Sequence, residues 1–168
     1  WPIAALIART CVALIWVDDG GQNSIVVAPG ANDELSVADI EALRAVYADA
    51  KCALFQLESP LTAVQAALGA ARASGAMTIL DPAPARPLSG ELLSLVDVLT
   101  PNESEACLLL NRPPQRINAD EAPVIADALR NLGPASVILK LGESGCYYAG
   151  AEDSFFVPGF RVQAVAAT

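Results

Sequence analysis

Between residues 36 and 141 the hydrophobic period switches repeatedly from helical to strand-like and back, and this alternation restricts the chain more than any other feature. Ser36-x-x-Asp39 reads as a helix cap, with Ile40, Leu43, Val46 and Tyr47 recurring at helical spacing to about Ala50. Residues 52–57 form a short apolar run ending at Glu58-Ser59-Pro60, where Ser59 can cap and Pro60 can start a helix carrying Leu61, Val64, Leu68 and Ala71 as far as Gly75. A strand pattern at 76–80 is closed by Asp81-Pro82-Ala83-Pro84-Ala85, and a short helix at 91–95 leads to a strand at 96–99. A helix opens from Thr100-Pro101-Asn102, and Arg112-Pro113-Pro114 marks a surface loop. Asn118-x-x-Glu121 then caps a helix with Ile125, Ala128, Leu129 and Leu132 inward and Gly133 as its stop, before a strand at 136–141. Strands and helices in strict alternation specify a parallel sheet covered on both faces.

The flanks follow a different pattern. Residues 11–17 and 24–28 are strand-like and enclose turn formers at 18–23, so they read as a β-hairpin that Pro29-Gly30-Ala31-Asn32 ends. A two-stranded hairpin is marginal in water and must lean on another layer or another chain. Past the Gly142-Glu143-Ser144-Gly145 turn, short strands are expected at 146–149, 155–157 and 160–165. The chain thus divides into a β segment, 1–33, and an α/β core, 34–168.

Composition removes several classes of function. With 168 residues, 54% of them hydrophobic, the chain can bury a domain-sized core. A net charge of −9 argues against nucleic-acid or anionic-membrane partners, which call for a basic stripe. There is no histidine, which excludes histidine acid–base catalysis and histidine metal ligands. Cys11, Cys52, Cys107 and Cys146 form no C-x-x-C pair, lie in apolar runs as small core residues would, and suit a reducing cytosol. The apolar stretch 1–17 is interrupted by Arg9 and has no basic region before it, so no membrane span is expected there. The first residue is Trp rather than Met, and the chain is expected to be a piece of something longer.

In parallel sheets of this kind ligands bind beyond the carboxyl ends of the strands. Glu58, Asp81, Asn102 with Glu105, and the Gly142 to Gly145 turn each follow such an end. Capping alone does not account for four polar or glycine-rich clusters on one rim. Asn102 and Glu105 are three apart at a helix start, where an amide oxygen and a carboxylate beside free N–H groups can seat a metal–phosphate complex. The same residues fit a capping box, as do Thr100 and Glu103, and both readings stand at this point.

In order along the chain, Val12-Ala13-Leu14-Ile15, Asn23-Ser24-Ile25, Pro29-Gly30-Ala31-Asn32, Gln56-Leu57-Glu58-Ser59-Pro60, Pro82-Ala83-Pro84-Ala85-Arg86, Thr100-Pro101-Asn102-Glu103, Leu141-Gly142-x-x-Gly145 and Val157-Pro158-Gly159-Phe160 resemble the ribokinase branch of the PfkB carbohydrate kinase family. The resemblance implies a ribokinase-like three-layer α/β/α fold, mostly parallel, with a β-hairpin lid and here incomplete. It implies transfer of the γ-phosphoryl of ATP to a primary sugar hydroxyl, commonly D-ribose to ribose 5-phosphate, in the cytoplasm. Residues 11–28 would form the lid, with Ala13 and Ile25 as apolar contacts to the sugar and Glu58 accepting from its hydroxyls. Asn102, Lys140, Leu141, Gly142, Glu143, Ser144 and Gly145 would bind ATP, and Asn102 with Glu105 would hold Mg2+ through water. The lid would pair with a second copy, as lids of this family do.

Departures from the pattern carry weight as well. The family places Asn where this chain has Asp81, and an aspartate accepts but cannot donate. It has an Asp that helps to bind a monovalent cation (K+) where this chain has Ala166. The Gly-Ala-Gly-Asp-type segment that supplies the family's catalytic base is expected beyond Thr168, so no catalytic residue is assigned within the chain. Missing base and anion-hole donors typically cost ~10²–10⁴-fold and ~10²–10³-fold in rate, so the chain alone is expected to be inactive. Two other readings remain: a non-catalytic sugar- or nucleotide-binding module, and a sister kinase for fructose, a keto-deoxy sugar acid or a nucleoside.

Overall fold

The computed structural model describes residues 11–18 and 23–160. The expected strand at 160–165, the turn residues 19–22, Arg9 and Ala166 fall wholly or mainly outside them. The elements in chain order are β1 Val12–Val17, β2 Asn23–Ala28, α1 Val37–Ala42, α2 Arg44–Tyr47, β3 Cys52–Phe55, α3 Leu61–Ala73, β4 Met77–Leu80 and α4 Gly90–Leu93. There follow β5 Val98–Leu99, α5 Glu103–Leu109, α6 Ala122–Arg130, β6 Ser136–Lys140, β7 Gly145–Ala149 and β8 Ser154–Pro158.

The sheet has the order β3-β4-β5-β6-β7-β8, with β3 to β6 parallel and β7 and β8 antiparallel. It is the mostly parallel sheet that the alternation of periods specifies. Because β3 to β6 run the same way, their carboxyl ends share one rim. Helix α3 packs on β3 and β4, α6 on β6 and β7, and α1 on α3. Leu57, Leu68, Leu80, Leu99, Leu129 and Leu139 are fully buried in one core. Each such side chain is worth about 1.5–3 kcal/mol of burial, and this layer fixes where the strand ends point.

Several local expectations change. The helix expected from Ser36 to Ala50 breaks at Leu43 into α1 and α2, and Val46 is exposed. Ser36 does cap α1, in a reciprocal box with Asp39. Asp39's carboxyl is held below the usual aspartate range by hydrogen bonds from the Ser36 side chain and then its backbone. Ser59 does not cap α3: Pro60 is extended (ψ 133°), so the helix starts at Leu61 without a side-chain cap. In α6, Ala126 is buried in place of Ala128. Of the four cysteines only Cys107 is buried, and Cys52 is exposed on the edge strand β3.

β1 and β2 form the expected antiparallel hairpin, Val12 opposite Ala28 through to Val17 opposite Asn23. Both of its faces are exposed, Leu14 and Trp16 on one and Ile15 on the other. Among the described residues no helix is long and apolar enough to cross a membrane.

Candidate functional site

The rim is joined strand to strand beyond the regular ladders. Leu57 N–H donates to Ala83 O at 2.7 Å, linking the loops after β3 and β4, and Thr100 N–H donates to Leu80 O at 2.9 Å. Lys140 N–H donates to Pro101 O at 2.8 Å, and Asn102 pairs with Lys140 as an isolated parallel bridge. Glu58, Asp81, Asn102 and Gly142 are therefore placed in that order along a single edge. Three strand spacings separate β3 from β6, about 14 Å at the usual interstrand distance.

Glu58 is exposed in the turn after β3, and its N–H donates to Gln56 Oε1 at 2.6 Å. Its carboxylate accepts no hydrogen bond from the described residues. An open groove of about 350 Å3 beside β3 is lined by Leu35, Ile40, Tyr47, Phe55, Gln56 and Ser59 among others, so it borders the Glu58 loop. Burial pushes the Tyr47 phenol up from its ordinary value.

At the head of α5 the capping box is formed. Asn102 N–H donates to Glu105 Oε2 at 2.7 Å, Asn102 Nδ2 to Glu105 Oε1 at 2.9 Å, and Glu105 N–H to Asn102 Oδ1 at 2.9 Å. Glu105 is 6% exposed while Asn102 is exposed, so the pair presents the amide rather than the carboxylate to solvent. Pro101 lies before the cap rather than in the first turn, because Asn102 has extended backbone (φ −83°, ψ −179°). The second box, Thr100 with Glu103, does not form. Thr100 Oγ1 donates to Asp81 Oδ2 at 3.2 Å, and the Glu103 carboxylate accepts from Ile117 N–H at 2.7 Å, tying α5 to the loop before α6.

Among the described residues there is no group of three or more acidic, cysteine or histidine side chains placed to hold a metal. The exposed Asn102 amide, oriented by the buried Glu105 carboxylate, fits Mg2+ only in the water-mediated way, since that ion keeps several waters and takes phosphate oxygens as ligands. A dedicated protein cage is not what these residues build.

The turn after β6 is a 3₁₀ turn, Gly142–Ser144, flanked by two glycines with different reasons to be there. Gly142 has φ +55° and open space around it. Ser144 N–H donates to Leu141 O and Gly145 N–H to Gly142 O, which leaves the Gly142 and Glu143 amides without an acceptor among the described residues. Two such amides at a left-handed glycine can meet an anion. Gly145 (φ +108°) is required by packing instead: a Cβ there would fall on the Val157 carbonyl, and one on Gly159 would fall on the Glu143 carbonyl. Gly159 N–H donates to Ser144 O at 3.0 Å, so the end of β8 buttresses the turn. The sequence reading has both glycines admit phosphate; in the structure Gly142 stands in open space and Gly145 lies against the Val157 carbonyl.

Lys140, read from sequence as a charge for the nucleotide turn, is engaged elsewhere: its Nζ lies 2.7 Å from Asp81 Oδ2. The sequence reading places Asp81 on the rim and marks it as a departure from the family pattern, but does not pair it with Lys140. The available signal was the opposite charges at the ends of two strands that flank a third. Ala13 and Ile25 sit in the hairpin, Ala13 opposite Val27 and Ile25 opposite Ile15, both exposed. No hydrogen bond joins either to the rim residues.

Comparison with known proteins fits this arrangement. The model of the pfkB family carbohydrate kinases matches residues 6–168. A ribokinase of Haemophilus influenzae is 39% identical over 161 residues, covering 95% of this chain and 51% of the relative. The crystal structure of ribokinase from Thermotoga maritima superposes with a TM-score of 0.77 at 31% identity, over 94% of this chain and 51% of that one. A structure of Arabidopsis thaliana ribokinase complexed with ribose and ATP gives a TM-score of 0.75 at 27% identity, over 90% and 49%. The chain spans about half the length of the relatives it matches. With the family model matching nearly all of it, the chain belongs to the pfkB family of carbohydrate kinases.

Proposed function

We propose that this chain is part of an ATP-dependent sugar kinase of ribokinase type, acting on D-ribose to give ribose 5-phosphate. The observation that carries the reading is the sharing of one rim by Glu58, the Asn102 cap and the Gly142 turn, at the ends of three parallel strands. A solved relative that binds ribose and ATP supports it. Glu58, whose carboxylate accepts no hydrogen bond among the described residues, accepts from the sugar hydroxyls, and Ala13 and Ile25 close over the sugar from the lid. The Gly142 and Glu143 amides receive phosphate, with Lys140, Leu141, Ser144 and Gly145 shaping the turn. Asn102, oriented by Glu105, would hold Mg2+ through water, and the ion would supply neutralisation of the phosphate charge. Residues 1–33 act as lid and 34–168 as core.

The lid's two apolar faces need cover, and a second copy of the chain supplies it. The four free cysteines suit a reducing compartment such as the cytoplasm.

Calorimetric titration of the chain with D-ribose and with Mg·ADP tests the reading. Both are expected to bind, with Glu58→Ala weakening ribose and Asn102→Ala weakening ADP, each by about tenfold. Nucleotide binding that Asn102→Ala and Glu105→Ala leave unchanged overturns the phosphate-site assignment. A panel of fructose, a keto-deoxy sugar acid and a nucleoside decides the sugar, and ribose is expected to bind tightest.

A further inference from the structure

One ion pair crosses the end of β5. Lys140 is the last residue of β6 and Asp81 the first past β4; the Lys140 ammonium donates to Asp81 Oδ2 at 2.7 Å. β5 lies between those strands, and its neighbour Thr100 donates to the same oxygen at 3.2 Å. The other oxygen, Asp81 Oδ1, is buried without a hydrogen-bond partner among the described residues. Among the described residues Lys140 is the one cation paired with this carboxylate.

Stability gives little reason for the pair. The two side chains are 41% and 39% exposed, and ion pairs that wet contribute little. Location gives a better one. The Lys140 backbone is bonded to Pro101 and bridged to Asn102, two residues ahead of Gly142. Of the rim residues discussed, Glu58, Asp81, Glu105 and Glu143 are acidic and Lys140 alone is basic, in a chain of net charge −9. A polyphosphate placed at the Gly142 amides meets that excess. The Lys140 side chain reaches back over β5 towards β4, whereas the Gly142 turn leads to β7 on the opposite side of β6.

Resting on the nucleotide-binding reading above, we propose that Asp81 and Lys140 form one charge-balanced unit that sets affinity for the polyphosphate. Lys140 cancels the Asp81 carboxylate and is not itself the phosphate's ligand. Asp81 and Lys140 are in this sense positioning residues, acting on the nucleotide through the local field.

The test is calorimetric titration of the 168-residue chain with Mg·ADP and with AMP, for the unsubstituted chain, Lys140→Gln, Asp81→Asn and the double variant. Thermal melting is recorded for each. Lys140→Gln is expected to weaken ADP about tenfold and AMP less than about threefold, since the effect follows phosphate charge. Asp81→Asn is expected to tighten ADP about threefold, and the double variant to return within about twofold of the unsubstituted chain. If Lys140→Gln does not fold, the double variant binding ADP about threefold more weakly than Asp81→Asn supports the same conclusion, and equal affinities overturn it. A double variant as weak as Lys140→Gln makes Lys140 a direct ligand and overturns the proposal, as do equal affinities in all four proteins. ADP binding without this charge dependence defeats the proposal alone, whereas no ADP binding by the unsubstituted chain defeats the nucleotide reading with it.

Discussion

Asn102 and Glu105 hold each other through three hydrogen bonds, two accepted by the buried carboxylate and one by the exposed amide. Of the two sequence readings of this pair, the cap is formed in the structure. Asn102 Oδ1 caps the helix by accepting the Glu105 N–H, and the Glu105 carboxylate reciprocates by accepting from the Asn102 N–H and Nδ2, which sets the direction in which the amide faces. Glu105→Ala is expected to destabilise the chain by about 1–2 kcal/mol, the usual range for a lost cap, read from urea denaturation. Glu105→Gln, which keeps one acceptor oxygen, is expected to lose less.

The two turn glycines should respond differently. Gly142→Ala meets only the left-handed backbone and is expected to cost about 1 kcal/mol, with the fold kept. Gly145→Ala adds an overlap with the Val157 carbonyl and is expected to cost about 3 kcal/mol, seen as a much larger fall in melting temperature.

The Ser36–Asp39 box should be visible in acid. Asp39's carboxyl is held low by Ser36 in the folded state, so its contribution is complete above the unfolded-state value and is lost as pH falls through the lower folded value. Carbon-13 titration of the Asp39 carboxyl is expected to give a midpoint below that of an ordinary aspartate. In Ser36→Ala the midpoint is expected to move back up.

The hairpin's exposed apolar faces predict self-association. Leu14→Thr together with Trp16→Ser is expected to shift the sedimentation profile towards monomer without altering the far-UV spectrum of the core. An unchanged profile removes the second copy as the hairpin's cover.

Much of the sheet was legible because parallel strands read as short apolar runs, as at Cys52–Phe55 on the exposed edge and at Met77–Leu80 inside, between stretches of helical period. The rim was legible for the same reason: once the strands are parallel, whatever follows them shares an edge. What escaped depends on strand order or backbone proximity. Asp81 and Lys140 are 59 residues apart and meet only because β4 and β6 flank β5. Gly145 and Gly159 are close only because β8 folds back on the turn. Ser59 and Thr100 carry cap chemistry in sequence. Extended Pro60 displaces the first, and the Asp81 carboxylate engages the second.

The central claim is that the carboxyl rim of β3 to β6 receives sugar at Glu58 and nucleotide at Asn102 and Gly142. Amide chemical-shift mapping of the isotope-labelled chain, titrated separately with D-ribose and Mg·ADP, tests it most directly. The account predicts ribose shifts centred on residues 56–59 and ADP shifts centred on Asn102 and residues 141–145. Shifts gathered instead at the opposite end of the sheet, around Thr78 and Asp97, would contradict it.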